Sequence, residues 1–366
     1  MRISIDATPL LLRSAGVKNY FYHWISHLRA RSGSDSIATF PFSSAIGGLD
    51  HERSVASLPS TVAGLAALQF LNRSHLPWRT RADVFHASHL LRNPPRGALL
   101  STTIHDMTCW LTPELHTPAN VKAVKWFGER VMRRADGMIA VSESTRQDAI
   151  RILRLAPEKI AVIHHGVPDS FFGVSAEAVS AARGKYGLAR PYALFVGTIE
   201  PRKNLGALLD AWAGLSGSTL EEFELVVAGP AGWRDQATLD RLQSDSASVR
   251  YLGYVAEADL PGLTAGATVF VYPSLYEGFG FPVAQAMAAG APVLTSNVSS
   301  LPEIAGGAAL LVDPRSIEEI RSGLDKLLSS PTLRQDLGRI GRTQAERFRW
   351  QACARKSLDF FRGLAG

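Results

Sequence analysis

Cysteine and long apolar runs are scarce in this sequence. Of its 366 residues only Cys109 and Cys353 are cysteines, which are too few for a disulfide framework and favour a reducing cytoplasm. The apolar start of the chain is short and is interrupted by Asp6, which does not fit a signal peptide, and no stretch reaches the roughly 18 to 20 apolar residues of a spanning helix. We therefore expect a cytoplasmic protein.

Acidic residues are relatively few in the first half of the chain. Residues 1–170 contain 20 Lys and Arg against 13 Asp and Glu, a balance of +7, and the totals of 39 and 33 leave 19 against 20, or −1, for the remainder. Nucleic acid is not the expected partner, because the sequence lacks a basic recognition helix, a zinc pattern and an aromatic RNA-binding signature. The basic first half favours an anionic membrane surface or a phosphorylated acceptor.

One segment of the first half has the composition of a membrane contact. Residues 62–81 combine an apolar stretch with Trp78 and flanking arginines, as interfacial helices do. A core-packing helix followed by a basic loop is the alternative. The segment therefore suggests a peripheral position on the inner face of the cytoplasmic membrane without requiring it.

The sequence does contain a regular alternation of apolar runs of strand length with amphipathic helical stretches. This pattern is typical of parallel sheets covered by helices on both faces. The predicted strands are Ile3–Ile5, Val84–His86, Leu99–Ile104, Met138–Val141, Ile160–His164, Ala193–Val196, Glu224–Ala228, Arg250–Leu252, Thr268–Tyr272, Pro292–Thr295 and Ala309–Val312. They predict an α/β protein with two doubly wound, Rossmann-like domains, residues 1–170 and 171–349, which bind ligands beyond the carboxyl ends of their strands.

The most informative stretch is residues 272–290, YPSLYEGFGFPVAQAMAAG. Glu277 follows a predicted strand, Gly278 and Gly280 lie in the loop, and Pro282 opens an apolar helix at a position that proline favours. Unpaired N–H groups and the positive end of the dipole make such a helix start a site for a diphosphate, and the glycines allow close approach to the backbone. The pattern predicts a sugar-nucleotide site, although an ordinary strand-to-helix connection also contains such glycines.

Three stretches of the second half resemble family 4 of the retaining glycosyltransferases, which have the GT-B fold. They are the segment above, TSNVSSLPEIAGGAALLVDP at 295–314 and VGTIEPRKNL at 196–205. The likeness continues more thinly through the first half in IDATPLLLRSAGVKNY, DVFHAS, TIHDMT, AVSEST and HHGV. It implies an acceptor-side first domain and a donor-binding second domain facing each other across a cleft, with the C-terminal helix at 350–366 completing the first.

The resemblance implies a clamp for the departing diphosphate. It assigns this role to Arg202, which offers a bidentate guanidinium, and to Lys203, which offers a compact ammonium. Lys203 matches a lysine of the family, but Thr198 stands where many relatives have an arginine, so we expect Arg202 to share the missing role. Without the resemblance, two adjacent basic residues would indicate only a solvated turn.

A second departure concerns the pair of glutamates that the family spaces as Glu-x7-Glu. The resemblance places Glu277 near the donor sugar, but Gln285 stands at the second position, where relatives hydrogen-bond the ribose. A glutamine oxygen still accepts a hydrogen bond, yet without the strength of a carboxylate, so we expect nucleotide binding weaker by about 1 kcal/mol. The expected donor-binding loop between them contains Gly278, Phe279, Gly280 and Phe281.

In the first half, Gly16 is expected in the loop after the first strand, where a missing side chain would admit a phosphate or a sugar. A structural turn explains this glycine equally well. His105 closes the strand Leu99–Ile104, and relatives use a histidine in this region near the transferred sugar. Asp106 either fixes the tautomer of that histidine or caps the following segment.

Two more positions match the family and have structural alternatives. Tyr254 lies where relatives approach the nucleotide base, or it is a packed aromatic. Glu303 matches a recurring position near a helix start, or it caps that helix.

No metal site and no other cofactor are expected. His86 and His89 resemble a metal pair only superficially, because no third ligand has a suitable spacing. The sequence also lacks the Asp-x-Asp motif by which the other main glycosyltransferase fold holds a metal-bound diphosphate.

These observations predict a retaining, metal-independent glycosyltransferase that moves a sugar from a nucleoside diphosphate to a hydroxyl of a glycan or lipid-linked acceptor in surface polysaccharide synthesis. The loop TIEPRKN resembles that of bacterial mannosyl- and rhamnosyltransferases, which makes GDP-mannose the expected donor. One alternative is another GT-B enzyme, such as a sugar-nucleotide epimerase. The other is a non-catalytic sugar-nucleotide-binding protein, motivated by Thr198 and Gln285.

Overall fold

The computed structural model describes residues 1–11, 15–41, 63, 66–70, 72, 78–232, 235–244 and 248–366. The chain divides into two compact units, one comprising Met1–Gly166 with Trp350–Gly366 and the other Val167–Arg349. The sequence predicts the first boundary at residue 170. The boundary lies earlier because the amide of Val167 already donates to the carbonyl of Phe348, at 2.6 Å, within the second unit.

A parallel sheet forms the centre of the first unit. Its described strands are β1 (Arg2–Asp6), β2 (Ser36–Phe40), β3 (Val84–Ala87), β4 (Leu99–Ile104), β5 (Gly137–Ala140) and β6 (Ile160–Val162). They lie in the order β2-β1-β3-β4-β5-β6. Every residue of β3 and β5 is buried, as expected for central strands of a parallel sheet covered on both faces, and apart from His86 these strands are apolar.

Two helices of the first unit, Pro118–Arg130 and Glu143–Leu153, begin at residues with capping side chains. The described α-helices are Ala15–Arg31, Thr108–Leu111, Pro118–Arg130, Glu143–Leu153 and Trp350–Ala365. Thr117 accepts a hydrogen bond from the amide of Asn120 at 3.3 Å, and Ser142 accepts one from Thr145 at 3.0 Å. These bonds satisfy amides that a helix start otherwise leaves without partners.

The last helix of the chain completes the core of the first unit. Trp24, which is fully buried, donates its indole N–H to the hydroxyl of Ser357 at 2.9 Å. A side chain at Gly166 would place its Cβ 2.2 Å from the ring of Trp350, so only glycine allows the chain to pass this tryptophan.

The second unit repeats the plan of the first. Its described strands are β7 (Tyr192–Val196), β8 (Glu224–Ala228), β9 (Val249–Gly253), β10 (Val269–Tyr272), β11 (Val293–Ser296) and β12 (Ala309–Val312), in the parallel order β12-β11-β10-β7-β8-β9. The direction of strand addition reverses between β7 and β10. Because ligands of such sheets bind where the order reverses, the loops after these two strands are the expected site.

Helices cover both faces of this second sheet. The described α-helices are Ala176–Lys185, Leu205–Ala213, Gly217–Glu222, Gln236–Gln243, Leu260–Ala265, Phe281–Ala289, Leu301–Ala305, Ile317–Ser329 and Pro331–Ala345. Ser175 accepts a hydrogen bond from the amide of Ala178 at 3.2 Å and so begins the first of them. The predicted α/β architecture with two doubly wound sheets is confirmed.

Two expectations for the first unit are wrong. The sequence analysis misses β2, an edge strand in which only Thr39 is buried, so the run SIATF lacks the apolar pattern of a buried strand. Gly16 is not in a loop but is the second residue of helix Ala15–Arg31, because buried residues of that helix recur at helical spacing from Lys18 onward. A Cβ at Gly16 would meet nothing within 4 Å, so its surroundings are open.

Nine of the twenty residues of the predicted interfacial segment 62–81, namely 62, 64, 65, 71 and 73–77, lie outside the described residues. Within the described ranges, no helix combines the length and the hydropathy that crossing a membrane requires.

Candidate active site

The loop after β7 is hydrogen-bonded to the loop after β10. Residues 201–203 form a turn of 3-10 helix, and Asn204 follows with a left-handed backbone at a φ of 59°. The amide Nδ2 of Asn204 donates to the carbonyl oxygens of Pro273, at 3.1 Å, and Pro314, at 2.6 Å. These bonds hold the basic residues of the first loop against the carboxylate of the second.

The carboxylate of Glu277 is the centre of the resulting cluster. Its Oε1 receives the ammonium of Lys203 at 2.5 Å, the guanidinium Nη1 of Arg202 at 2.9 Å, the hydroxyl of Ser274 at 2.8 Å and that of Tyr272 at 3.0 Å. The described residues place no donor on Oε2. One oxygen is therefore fully engaged by the protein, and the other has acceptor capacity for a ligand.

Arg202 is bound to acceptors of the protein on several sides. Its Nη2 donates to Oε1 of Glu200 at 2.6 Å, and its Nη1 donates to the carbonyl of Tyr276 at 2.8 Å as well as facing Glu277. Two carboxylates thus balance the two cations Arg202 and Lys203. The cluster has little net charge before a ligand arrives.

Burial and the neighbouring charges act in opposite directions on this cluster. Burial alone would raise the pKa of Glu277, but Arg202 and Lys203 outweigh it and hold that pKa at about 2. Burial and the adjacent Arg202 lower the pKa of Lys203, against the attraction of Glu277. The ammonium also lies 5.2 Å from the ring centre of Tyr272, where the π face supports its charge.

The helix Phe281–Ala289 begins directly beside the cluster. Gly280 is its N-cap residue, with a left-handed φ of 99°, and it makes no side-chain cap. A Cβ there would lie 2.8 Å from Leu301, so both conformation and space require glycine. Phe279 is buried with its ring edge-on to Phe281 at 5.4 Å, which anchors the loop. The positive end of the helix dipole therefore lies beside the cluster, and the anion site that the sequence predicts there stays a prediction.

Two serines that the sequence alone does not identify, Ser299 and Ser300, hydrogen-bond to the backbone of the loop after β10. Ser299 accepts a hydrogen bond from the amide of Glu277 at 3.0 Å, and Ser300 donates to the carbonyls of Glu277 and Phe279, each at 2.9 Å. Glu200, described above, is also missed. Because serine occurs in many loops, the stretch NVSSLPE does not predict these contacts. They become evident only when the fold is known.

The other residues predicted to bind the donor, Gln285, Thr198 and Tyr254, do not belong to the cluster around Glu277. Gln285 is half-buried, and within the described ranges its side chain makes no hydrogen bond. Thr198 is half-buried directly after β7, and its methyl group would lie 2.8 Å from a Cβ at Gly232. Tyr254 is 61% exposed, so the alternative of a packed aromatic is wrong.

His105 and Asp106 lie at the end of β4 in the first unit. Burial lowers the pKa of His105 to about 3, so its imidazole is neutral at pH 7. The ring stands edge-on to Tyr20 at 5.0 Å and stacks on His165 at 5.8 Å. Oδ1 of Asp106 accepts from the amide and the hydroxyl of Thr108, at 3.0 and 2.6 Å. Asp106 therefore caps the following segment.

His86 is a histidine of the core. Its Nδ1 lies 2.9 Å from the hydroxyl of Ser101 and its Nε2 lies 3.1 Å from that of Thr103. Both ring nitrogens are thus hydrogen-bonded within the sheet. Across the part of the chain that the structure describes, no three His, Cys, Asp or Glu side chains group in a way that could hold a metal ion.

Two family models match the chain and together span most of it. Residues 14–171 match Glycosyltransferase Family 4, and residues 181–344 match Glycosyl transferases group 1. The chain belongs to this family of glycosyltransferases. The predicted enzyme class is confirmed, and the alternative of a non-catalytic binding protein loses its support.

Curated relatives of this glycosyltransferase agree with the match. O-antigen chain mannosyltransferase B of Escherichia coli is 29% identical, and the alignment covers 100% of both chains. The serotype-specific mannosyltransferase WbdA of Escherichia coli is 30% identical over 63% of this chain, which corresponds to only 29% of the longer protein.

Solved structures share the fold of the glycosyltransferase. Anabaena HepE in complex with UDP and glucose superposes with a TM-score of 0.71 at 20% identity, covering 99% of this chain and 100% of HepE. Sucrose-phosphate synthase from Thermosynechococcus elongatus gives 0.74 at 18% identity, covering 100% and 99% of the two chains. The predicted GT-B fold is confirmed.

Proposed function

We propose that this glycosyltransferase transfers mannose from GDP-mannose to a hydroxyl of a glycan or lipid-linked acceptor, with retention of the anomeric configuration, in surface polysaccharide synthesis. The names of the Escherichia coli mannosyltransferases support the choice of sugar and pathway. The observation that carries the proposal is the ion pair of Lys203 and Glu277 beside the start of helix Phe281–Ala289. It combines a cation for phosphate with an acceptor for sugar hydroxyls.

Charge on the departing diphosphate is stabilised by groups of the second unit. The ammonium of Lys203 has donors beyond its bond to Glu277, and the amides at the start of helix Phe281–Ala289 add partial positive charge. Preorganised donors of this kind contribute several kcal/mol to the transition state. We propose that they replace a divalent metal in this reaction.

The reaction proceeds on one face of the sugar. The bond between the anomeric carbon and the diphosphate oxygen breaks, and the acceptor oxygen forms its bond to the same carbon from the side on which the diphosphate leaves. The acceptor proton passes to the leaving phosphate oxygen. Oε2 of Glu277 accepts from hydroxyls of the donor sugar and positions it. In the first unit, the imidazole of His105 is neutral and can offer a hydrogen bond but not a positive charge.

Donor use and stereochemistry test this proposal directly. The purified enzyme is incubated with a mannose-terminated lipid-linked acceptor and with GDP-mannose, UDP-glucose or dTDP-rhamnose, first in EDTA and then with magnesium. We expect transfer from GDP-mannose in EDTA and an α-linked product by NMR, as in the donor. A β-linked product would refute retention, a requirement for magnesium would refute metal independence, and selective use of another donor would replace GDP-mannose.

We also propose that the first unit contacts an anionic membrane surface. On helix Pro118–Arg130, Lys122, Lys125 and Trp126 lie within about one turn, and the guanidinium of Arg92 lies 5.7 Å from the ring centre of Trp126. We call these four residues the basic face. Cations beside an amphipathic tryptophan suit the headgroup region of an anionic bilayer.

Vesicle sedimentation tests the basic face. We expect binding to vesicles that contain phosphatidylglycerol, little binding to pure phosphatidylcholine, and weaker binding after the double substitution Lys122→Glu and Lys125→Glu. The control is Lys185→Glu with Arg321→Glu, which makes the same change of charge in the second unit. Binding that does not depend on anionic lipid would rule out this surface, and equal losses in both double variants would leave only a net-charge effect.

A further inference from the structure

Ser300 occupies the N-cap position of helix Leu301–Ala305 but does not cap it. A serine at this position normally accepts a hydrogen bond from an amide of its own helix. Ser300 makes no such bond, and its hydroxyl instead shares its one hydrogen between the carbonyl oxygens of Glu277 and Phe279, each at 2.9 Å. The residue is fully buried, so its hydroxyl serves the loop after β10 and not solvent.

The two carbonyls fix the direction of two peptide planes. In a trans peptide the C=O of one residue and the N–H of the next point to opposite sides. Turning the carbonyls of Glu277 and Phe279 toward Ser300 therefore turns the amides of Gly278 and Gly280 away from it. It also withdraws two partial negative charges from the side that those amides face. Two backbone amides directed to the same side carry partial positive charge toward that side and favour an anion there.

Ser299 adds a second constraint on the same loop. Its backbone is left-handed, with a φ of 54°, which is unfavourable for a residue other than glycine or asparagine. In this conformation its Oγ accepts the amide hydrogen of Glu277 at 3.0 Å. That amide is thus bound behind the loop, while the carboxylate of the same residue extends to Lys203.

We infer that Ser299 and Ser300 are positioning residues of the donor site, which orient the amides of Gly278 and Gly280 toward the diphosphate of the sugar nucleotide. The inference rests on the proposed function. In this proposal the two serines do not touch the donor. They bind the backbone of the loop on the side opposite to the one that faces the diphosphate, and so they fix the direction of its amides.

The first test is Ser300→Ala. We expect the KM for the donor and the Kd for GDP, measured by calorimetry, to rise about tenfold, with a smaller change in kcat, because one to two hydrogen bonds orienting the loop are lost. The control is Ser357→Ala, another buried serine whose hydroxyl donates to a carbonyl, that of Cys353 at 2.9 Å. The control should lose at least as much thermal stability, because Ser357 also accepts from the buried indole of Trp24, with unchanged KM and Kd. Equal KM and Kd in the wild type and in Ser300→Ala would overturn the inference.

If Ser300→Ala does not fold, two substitutions of Ser299 test the same inference. Ser299→Asn keeps an oxygen acceptor and tolerates the left-handed backbone, whereas Ser299→Gly keeps only the backbone preference. We expect the asparagine variant to retain most of the affinity for GDP and the glycine variant to lose it. Equal affinities of the asparagine and glycine variants for GDP would overturn this inference but leave the proposed function standing. A wild-type enzyme that binds neither GDP nor UDP would overturn the proposed donor site as well.

Discussion

The ammonium of Lys203 lies 2.5 Å from Oε1 of Glu277, although 74 positions separate the two residues in the sequence. Both are buried, and the carboxylate also faces the guanidinium of Arg202 at 2.9 Å. The cation is therefore compensated in the absence of substrate. The diphosphate of the proposed donor would not have to pair with an isolated buried charge, since it would share an ammonium that the carboxylate already holds in place.

Lys203→Ala should reduce kcat/KM for sugar transfer by about 100-fold or more, because a preorganised cation at a developing charge contributes several kcal/mol. The fold should survive, since Arg202, Tyr272 and Ser274 still donate to Glu277. Steady-state kinetics and urea unfolding of the same preparation measure both effects. Lys185→Ala is the control, because that lysine forms an exposed pair with Asp259 in the same unit. A wild-type rate would exclude Lys203 from the site.

Gln285→Glu should tighten GDP binding about fivefold, the factor that corresponds to about 1 kcal/mol between a neutral and a charged hydrogen bond. The substitution restores the family spacing from Glu277, and residue 285 is only half-buried, so a carboxylate can be solvated without ligand. Calorimetry at constant ionic strength gives the affinity. Gln243→Glu adds the same charge at the end of another helix of the unit and should have no effect. Weaker binding in Gln285→Glu would place the ribose elsewhere.

Tyr254→Ala should weaken the binding of GDP without changing stability. The side chain is 61% exposed, so its removal leaves no cavity, whereas stacking of an aromatic side chain on a nucleotide base contributes about 1 to 3 kcal/mol. Thermal melts without ligand and calorimetric titrations with GDP separate the two properties. Tyr254→Phe should keep most of the affinity. A Kd unchanged by alanine would show that the base does not stack on this ring.

Acid should destabilise the first unit through His86. Burial, with the nearby His105, lowers the pKa of His86 to about 3. The unfolded chain, with a pKa of about 6.5, therefore binds more protons between these values, and the free energy of unfolding falls as the pH drops through 6.5, by up to about 1.4 kcal/mol per pH unit. Urea unfolding at pH 7, 6 and 5 measures the slope. His86→Leu should flatten it, and an identical slope in the variant would contradict the assignment.

The sequence identifies the main chemistry of the second unit but not its pairings. The strand before Glu277, the glycines after it and the proline-led helix are all evident, because each has a local signature in residue type and spacing. The bond between Lys203 and Glu277 is not, since it depends on β7 and β10 being neighbours in the sheet. Ser300 is missed for the same reason, as its partners belong to another loop.

Local patterns are weaker guides in the first unit. The edge strand β2 has one buried residue, Thr39, and so has little of the apolar signal by which strands are recognised. The sequence predicts Gly16 in the loop after the first strand, but helix Ala15–Arg31 includes it, because the packing of residues such as Trp24 outweighs the cost of one glycine in the first turn. Tertiary burial decides both cases.

The indole of Trp24 bonded to Ser357 has a consequence for synthesis on the ribosome. The core that contains Trp24 cannot close until helix Trp350–Ala365 has been translated, whereas residues 167–349 form a contiguous unit that is complete before that helix appears. The order of folding during translation is then the reverse of the order of synthesis. The second unit folds first, and the first unit keeps an exposed apolar surface until its last helix has been made.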